Sequence, residues 1–286
     1  MPIRLSYSQY DKYCRCPKMY EYSRLYKSRV FNINFFIGNI IHEGLHLTYA
    51  RDQDLFEKLN KFFEESLEKE RKNTMFSPET EQKIVEWRVI IIGMIYAYNM
   101  KYTEFMNDHE LVHNEKEYIV DLGDGVTFLI KLDNILKNKA NRHLVHEVKT
   151  TRQLNEQYVY DIQYKVQPAC YYYFGRMVGE FDPAGIVYDV LQKPSIRVKK
   201  GEEYVDYLDR LEEYYQKDPH AHLHMEKIDQ PIIKEVDLIK SIKMVARRIE
   251  NKEFEKTWKD CGKCEFRKPC FGDDAPEYLL AFERRS

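Results

Sequence analysis

Hydropathy along the chain changes period at Glu115, and that change restricts the fold more than any other feature. Before it, apolar residues recur at helical spacing to about Asp108, as Ile37, Ile41 and Leu45 do along one face. After it, residues 117–121 and 126–132 flank Gly123-Asp124-Gly125, three residues that tolerate positive φ and so predict a hairpin. A turn over 137–141 leads into a third strand at 144–150, so three strands follow one another as a meander. A helix over 156–178 and an apolar strand over 185–191 come next, and helical patterning returns from Glu202. The order helices, three strands, helix, strand predicts an α/β fold with a mixed central sheet flanked by helices.

Ser6 followed by Gln9 fits a capping box, and Pro17 disfavours helical geometry at Cys16, ending the first helix there. Further helices are expected at 35–49, 55–72 and 79–106. With no repeat and no Gly/Ser/Pro linker, one domain over 1–286 is expected: a helical N-terminal part (1–110), a core (111–191) and a helical C-terminal part (192–286). The net charge of −2 does not announce a nucleic-acid partner, although metal ions that neutralise carboxylates make net charge understate a local field. The most apolar run, 89–98, is too short to cross a bilayer, and the N-terminus lacks a signal-peptide stretch. A soluble protein in a reducing compartment is expected, with no membrane partner. Six cysteines there are metal ligands or core residues rather than disulfides.

Alternation along the third strand places Val145, Glu147 and Lys149 on one face, with Leu144, His146 and Val148 on the other. On the preceding strand Asp133 shares a face with Thr127, Leu129 and Lys131. An antiparallel neighbour brings Asp133 and Glu147 within reach of one hard cation, such as phosphodiester hydrolysis needs to activate water. Lys149 is placed to orient that water or stabilise developing negative charge. Glu-x-Lys also occurs at Glu70–Lys72, Glu81–Lys83 and Glu250–Lys252, but those pairs lie in polar helical segments and read as solvated faces. An exposed edge-strand ion pair is the bland alternative for Glu147–Lys149.

Taken together, these residues resemble the PD-(D/E)XK nuclease superfamily, in particular its RecB-like branch. The resemblance spans nearly the whole chain: Gly38 to His42, Asp133, Glu147-Val148-Lys149, and Gln167 to Tyr171, in that order. It implies a restriction-endonuclease-like core. Asp133, Glu147 and the Val148 carbonyl would bind Mg²⁺ or Mn²⁺, His42 would complete or border that shell, and Gln167 and Tyr171 would line the DNA path. Gln163, one turn before Gln167 on the expected helix, would share that role. The implied function is DNA hydrolysis by an exonuclease acting on single strands or free ends, in repair, recombination or phage and CRISPR DNA processing. The implied setting is the cytoplasm of a bacterium or a phage-infected cell. No P-loop is present, so unwinding would come from a helicase or recombination partner.

Cys261-Gly-Lys-Cys264 and Cys270 supply three close thiols, and a fourth ligand must come from elsewhere. Cys16, just before Pro17, is the candidate, with Cys14 in reserve. The pattern is similar to the branch of the family that holds a [4Fe–4S] cluster, as in CRISPR-associated RecB-like exonucleases and AddAB-type nuclease domains. Such a cluster would clamp the two ends of the chain; zinc is the alternative metal. Cys170, on an apolar helix, reads as a core thiol.

His42-Glu43-Gly44-Leu45-His46 is a literal H-E-x-x-H, the zinc-peptidase signature, with Glu65 as an imaginable third ligand. That reading leaves Asp133, Glu147, Lys149, Gln167 and the cysteines without a role, and Gly44 weakens the helix it needs. A non-catalytic interaction protein is the third alternative. The run Tyr171-Tyr172-Tyr173-Phe174 reads as core, and Arg197, Lys199 and Lys200 as a solvated loop.

Overall fold

The meander expected from the period-two pattern is present, and it is longer than its pattern. In the computed structural model, which describes residues 2–272 and 282–284, strands β3 (His109–Gly123), β4 (Val126–Asn138) and β5 (His143–Thr151) pair antiparallel in succession. Gly123, Asp124 and Gly125 adopt φ of 79°, 55° and 73°, as the hairpin requires. Strand β6 (Pro183–Gln192) joins parallel to β5, and the edge strand β7 (Leu223–Ile228) pairs antiparallel with β6. A short strand β1 (Ile3–Ser6) runs parallel to Val126–Leu129 of β4, giving a mixed sheet of six strands.

How β4 shares its edges decides where the site lies. One edge is paired with β3 along its length. The other is divided: β1 takes residues 126–129, and β5 takes residues 134–137. Residues 130–133 between them have no strand beside them on that edge, and Asp133 stands in this gap.

Helices cover both faces. On one, α1 (Tyr7–Arg15), α7 (Val166–Val178) and α10 (Glu235–Glu250) bury a core that includes Tyr10, Phe128, Phe174, Tyr188 and Ile242. On the other, α3 (Ile33–Tyr49), α4 (Leu55–Asn73), α5 (Pro78–Asn107) and α8 (Tyr204–Lys217) pack around Ile41, Leu59, Ile95 and Leu211. The alternation of β5 and β6 feeds both layers, with Val145, Tyr188 and Val190 in the first core and Val148 and Leu191 in the second. Gly44 lets α3 and α5 approach closely, since a Cβ there would stand 2.8 Å from Ile95 Cδ1 and that side chain would have to shift.

Several expectations need correction. The parts expected to be helical also supply strands: β1, too short to display a period, and β7, in which only the terminal Leu223 and Ile228 are buried. The capping box of Ser6 and Gln9 is formed, and α1 ends at Arg15. Cys16 is extended, and Pro17 then opens a new helix, α2 (Pro17–Leu25), at a position where its missing N–H costs nothing. The single helix expected over 156–178 is two, α6 (Glu156–Ile162) and α7, separated by an extended Lys165. Pro168 explains the break, since a continuous helix would drive its ring into the Tyr164 carbonyl. Gln163 therefore caps α6 and does not stack one turn before Gln167. The short α9 (Pro219–His222) runs directly into β7. A separate ribbon pairs β2 (Tyr26–Ser28) with β8 (Phe282–Arg284), and a short α11 (Arg267–Cys270) precedes it. Among the described residues no helix is long and apolar enough to cross a membrane.

Candidate active site

The β4–β5 ladder ends at the pair Asn134–His146, and the strands part just where Asp133 and Glu147 would face each other. Asp133 Oδ2 accepts the Val148 N–H at 3.1 Å, and its Oδ1 lies 3.4 Å from His42 Nδ1 on α3. Glu147 is fully buried. One of its oxygens contacts the Lys149 ammonium, while Oε2 is buried without a hydrogen-bond partner. Val148, between them in sequence, sends its side chain into the second core. Two carboxylates, an imidazole and an amine thus converge in the gap on the β4 edge.

Burial, followed by the Asp133 charge, pushes the Glu147 carboxyl up to about 7, although Lys149 and His42 pull the other way. Burial also opposes ionisation of Asp133, but His42, Lys149 and the Val148 N–H outweigh it and hold that carboxyl below its usual range. His42 is raised despite burial, because Asp133 and Glu147 favour the imidazolium. Lys149 is likewise raised, its burial outweighed by the same two carboxylates. Among the described residues no group of three or more His, Cys, Asp or Glu side chains is arranged to hold a metal ion, and each carboxylate here has turned to a neighbouring cation. The donor set nevertheless fits a hard divalent ion. It combines two carboxylates that repel each other with a buried oxygen lacking any partner.

Beside this centre, Gln167 Nε2 donates to the Tyr171 hydroxyl at 2.8 Å. The Tyr171 phenol is pushed up by burial and then by the Glu147 charge, which places the pair next to Glu147. Three further tyrosines enclose the site without having been singled out in the sequence. Tyr7 feels burial and the charges of Asp11 and Glu147; Tyr158 feels burial and Lys149, and hydrogen-bonds Tyr188. Twenty-three tyrosines are scattered through the chain, so position alone gave no signal for these.

Behind the site, on the opposite face of the sheet, lies a buried polar network. His146 Nε2 meets Asp189 Oδ2 at 2.7 Å, and Asn134 Nδ2 meets His146 Nδ1 at 3.1 Å. Tyr98 donates to Asp189, and the Tyr49 and Tyr98 hydroxyls are 2.8 Å apart.

A model of the PD-(D/E)XK nuclease superfamily matches residues 4–271, which include every element of this centre. The chain belongs to the PD-(D/E)XK nuclease superfamily. Such enzymes are metal-dependent nucleases that generally use Mg²⁺ or Mn²⁺, and the mixed sheet flanked by helices is consistent with their core. No curated protein matches the sequence. The crystal structure of SSO0001 is similar over 91% of this chain and 92% of its own, at 12% identity and a TM-score of 0.35.

In this superfamily member Cys16, Cys261, Cys264 and Cys270 line one small enclosed space with Met19, Tyr22 and Phe266. Burial raises the Cys264 thiol against the opposing Phe266 N–H, and the neighbouring sulfurs of Cys16, Cys270 and Cys261 add to the rise. At Cys16 burial is outweighed by donors from Thr257, Met19 and Lys18, two of them in the first turn of α2, so its thiol is lowered toward the thiolate. Cys14 is exposed, interacts with Tyr10 and does not line the space. Cys170 is fully buried among core residues.

The H-E-x-x-H match finds no such support in a nuclease. His42 is turned to Asp133, His46 Nδ1 is buried without a partner, and Glu65 is exposed beside Lys61. Arg197 donates to the carbonyls of Pro194 and Ile196, as a loop residue does.

Proposed function

We propose that this chain is a Mg²⁺- or Mn²⁺-dependent deoxyribonuclease of the RecB-like branch, hydrolysing DNA phosphodiester bonds from free ends. The observation that carries the reading is the meeting of Asp133, Glu147 and Lys149 where β4 and β5 part. Asp133, Glu147, the Val148 carbonyl and His42 would hold the divalent ion, which supplies charge neutralisation at the phosphate and acidification of water. Lys149, a third exposed and so able to reach substrate, orients the attacking water and balances negative charge as it develops on the phosphate. Gln167 fixes the Tyr171 hydroxyl, and the two line the path of the strand, single or frayed from a free end. Tyr7 and Tyr158 exclude water from the buried side of Glu147 and Lys149. The four cysteines hold a [4Fe–4S] cluster that clamps the two ends of the chain, zinc being the alternative there. Any strand separation falls to a helicase or recombination partner, in a bacterial or phage-infected cell.

The test is digestion of labelled linear, circular, single- and double-stranded DNA with and without Mg²⁺ or Mn²⁺. The wild type should degrade linear DNA only with the ion and leave circles intact. Lys149→Ala should keep the fold and lose about 10²–10³-fold in rate. Cleavage that survives chelation, or full activity in Lys149→Ala, would refute the assignment.

A further inference from the structure

Among the described residues no lysine or arginine is buried except Lys193, which is 7% exposed at the carboxyl end of β6. Its N–H donates to the Thr151 carbonyl at 2.8 Å. Its ammonium donates to Asn34 Oδ1 at 2.9 Å and lies 5.4 Å from the centre of the Trp87 ring. No carboxylate among the described residues forms an ion pair with it. The charge that acts on it is another cation, Arg152, which among the described residues has no ion pair either and follows Thr151 at the end of β5. Burial, and then Arg152, accordingly lowers the proton affinity of Lys193. A buried ammonium balanced by one neutral amide and a ring face is costly. An anion seated beside it would relieve that cost, and the positive end of α3 adds to the attraction.

The position of Lys193 relative to the catalytic centre follows from α3. Asn34, Gly38 and His42 are four residues apart and share one face of that helix. His42 meets Asp133 at one end, and Asn34 meets Lys193 at the other, about 12 Å away along the axis. Between them a Cβ added at Gly38 would find nothing within 4 Å. The face therefore runs from the acidic centre to Lys193 across open space.

We propose that Lys193, held by Asn34 and assisted by Arg152, binds a phosphate of the strand being cut other than the one that is hydrolysed. At about 3.4 Å rise per nucleotide the separation corresponds to roughly three nucleotides. The proposal rests on the DNA-hydrolysis reading and adds to it a second anchor that fixes the strand across Gly38.

The probe is a fluorescein-labelled single-stranded oligonucleotide, its anisotropy titrated in Ca²⁺ with the wild type and Lys193→Met. The variant keeps the apolar stem and loses the charge. It should bind about ten- to hundred-fold more weakly. Its slope of log K against log salt should shrink by about 0.7. In Mg²⁺, KM should rise while kcat changes little. One uncharged methylphosphonate at the anchored position should weaken the wild type and leave Lys193→Met unaffected. The melting temperature of Lys193→Met should hold or rise, whereas a lysine that serves only the fold would lower it and spare the salt slope. Should that variant fail to fold, Asn34→Asp supplies a carboxylate to Lys193 in place and should raise the melting temperature while weakening DNA binding. Unchanged affinity and salt slope in a variant of a wild type that does cut DNA overturn the anchor alone. A wild type that neither binds nor cuts DNA removes the nuclease reading and the anchor with it.

Discussion

Replacing Glu147 with glutamine tests the electrostatics of the acidic centre without relying on catalysis. Burial and Asp133 move this carboxyl from an ordinary 4.5 to about 7 in the folded chain. At about 1.36 kcal/mol per unit, the ionised folded state is disfavoured by roughly 3 kcal/mol, with the Lys149 contact already part of that balance. The folded value lies above the unfolded one. The contribution of this group to stability is therefore fully present below pH 4.5 and is lost as pH rises through 7. Glu147→Gln carries no such charge. In EDTA at pH 8 it should melt about 5 °C above the wild type for a chain of this size, and at pH 5 the two should nearly coincide. Adding Mg²⁺ should invert the order, because the wild type gains about 2.7 kcal/mol at a hundredfold excess over Kd and the variant gains little. Calorimetric melts at both pH values, with EDTA and then with Mg²⁺, supply all four measurements. A variant less stable than the wild type at pH 8 in EDTA, or one that gains equally from Mg²⁺, would refute the argument.

Two further outcomes are expected. Anaerobically purified protein should be brown, with iron and sulfide in near-equal amounts; Cys16→Ser should lose most of both while Cys14→Ser retains them, and stoichiometric zinc in a colourless protein would replace the cluster in this account. Tyr98→Phe should lower stability by about 1–3 kcal/mol, read as a fall in melting temperature, because it deprives the buried Asp189 carboxylate of a donor; an unchanged melt would show that Asp189 draws its stability from His146 alone.

The meander and the convergence of Asp133 and Glu147 on one site were legible because period-two alternation and a Gly-Asp-Gly turn are local signals, although the two strands part before those residues pair. Glu147 and Lys149 fell on one face for that reason alone. The thiol set was legible by spacing, and extended geometry at Cys16 followed from Pro17. What escaped was non-local. Nothing in Ile3–Ser6 announces that it pairs with β4, yet that pairing bounds the gap in which Asp133 stands. Tyr7 and Tyr158 approach the site only through tertiary packing, and Lys193 reads as a surface residue until its burial beside Trp87 is known. The break between α6 and α7 is a different kind of miss, since Pro168 was in plain view and local sterics alone decide it.

The two faces of the sheet make one device out of residues adjacent in sequence. Asn134 follows Asp133, His146 precedes Glu147, and Asp189 is in register with Val148, so each position of the acidic centre has a neighbour pointing to the far side. There His146, Asp189, Asn134 and Tyr98 form the buried network, whose hydrogen bonds require this strand register. A slip of one residue would bury Glu147 among Tyr49 and Tyr98 and turn His146 toward the gap. Before an ion binds, the two carboxylates of the acidic centre repel each other and the ionised form of Glu147 is disfavoured, so His42, Lys149 and the Val148 N–H offset only part of the cost of assembling it. The register that creates it must therefore be held from elsewhere, and the network on the opposite face is placed to hold it.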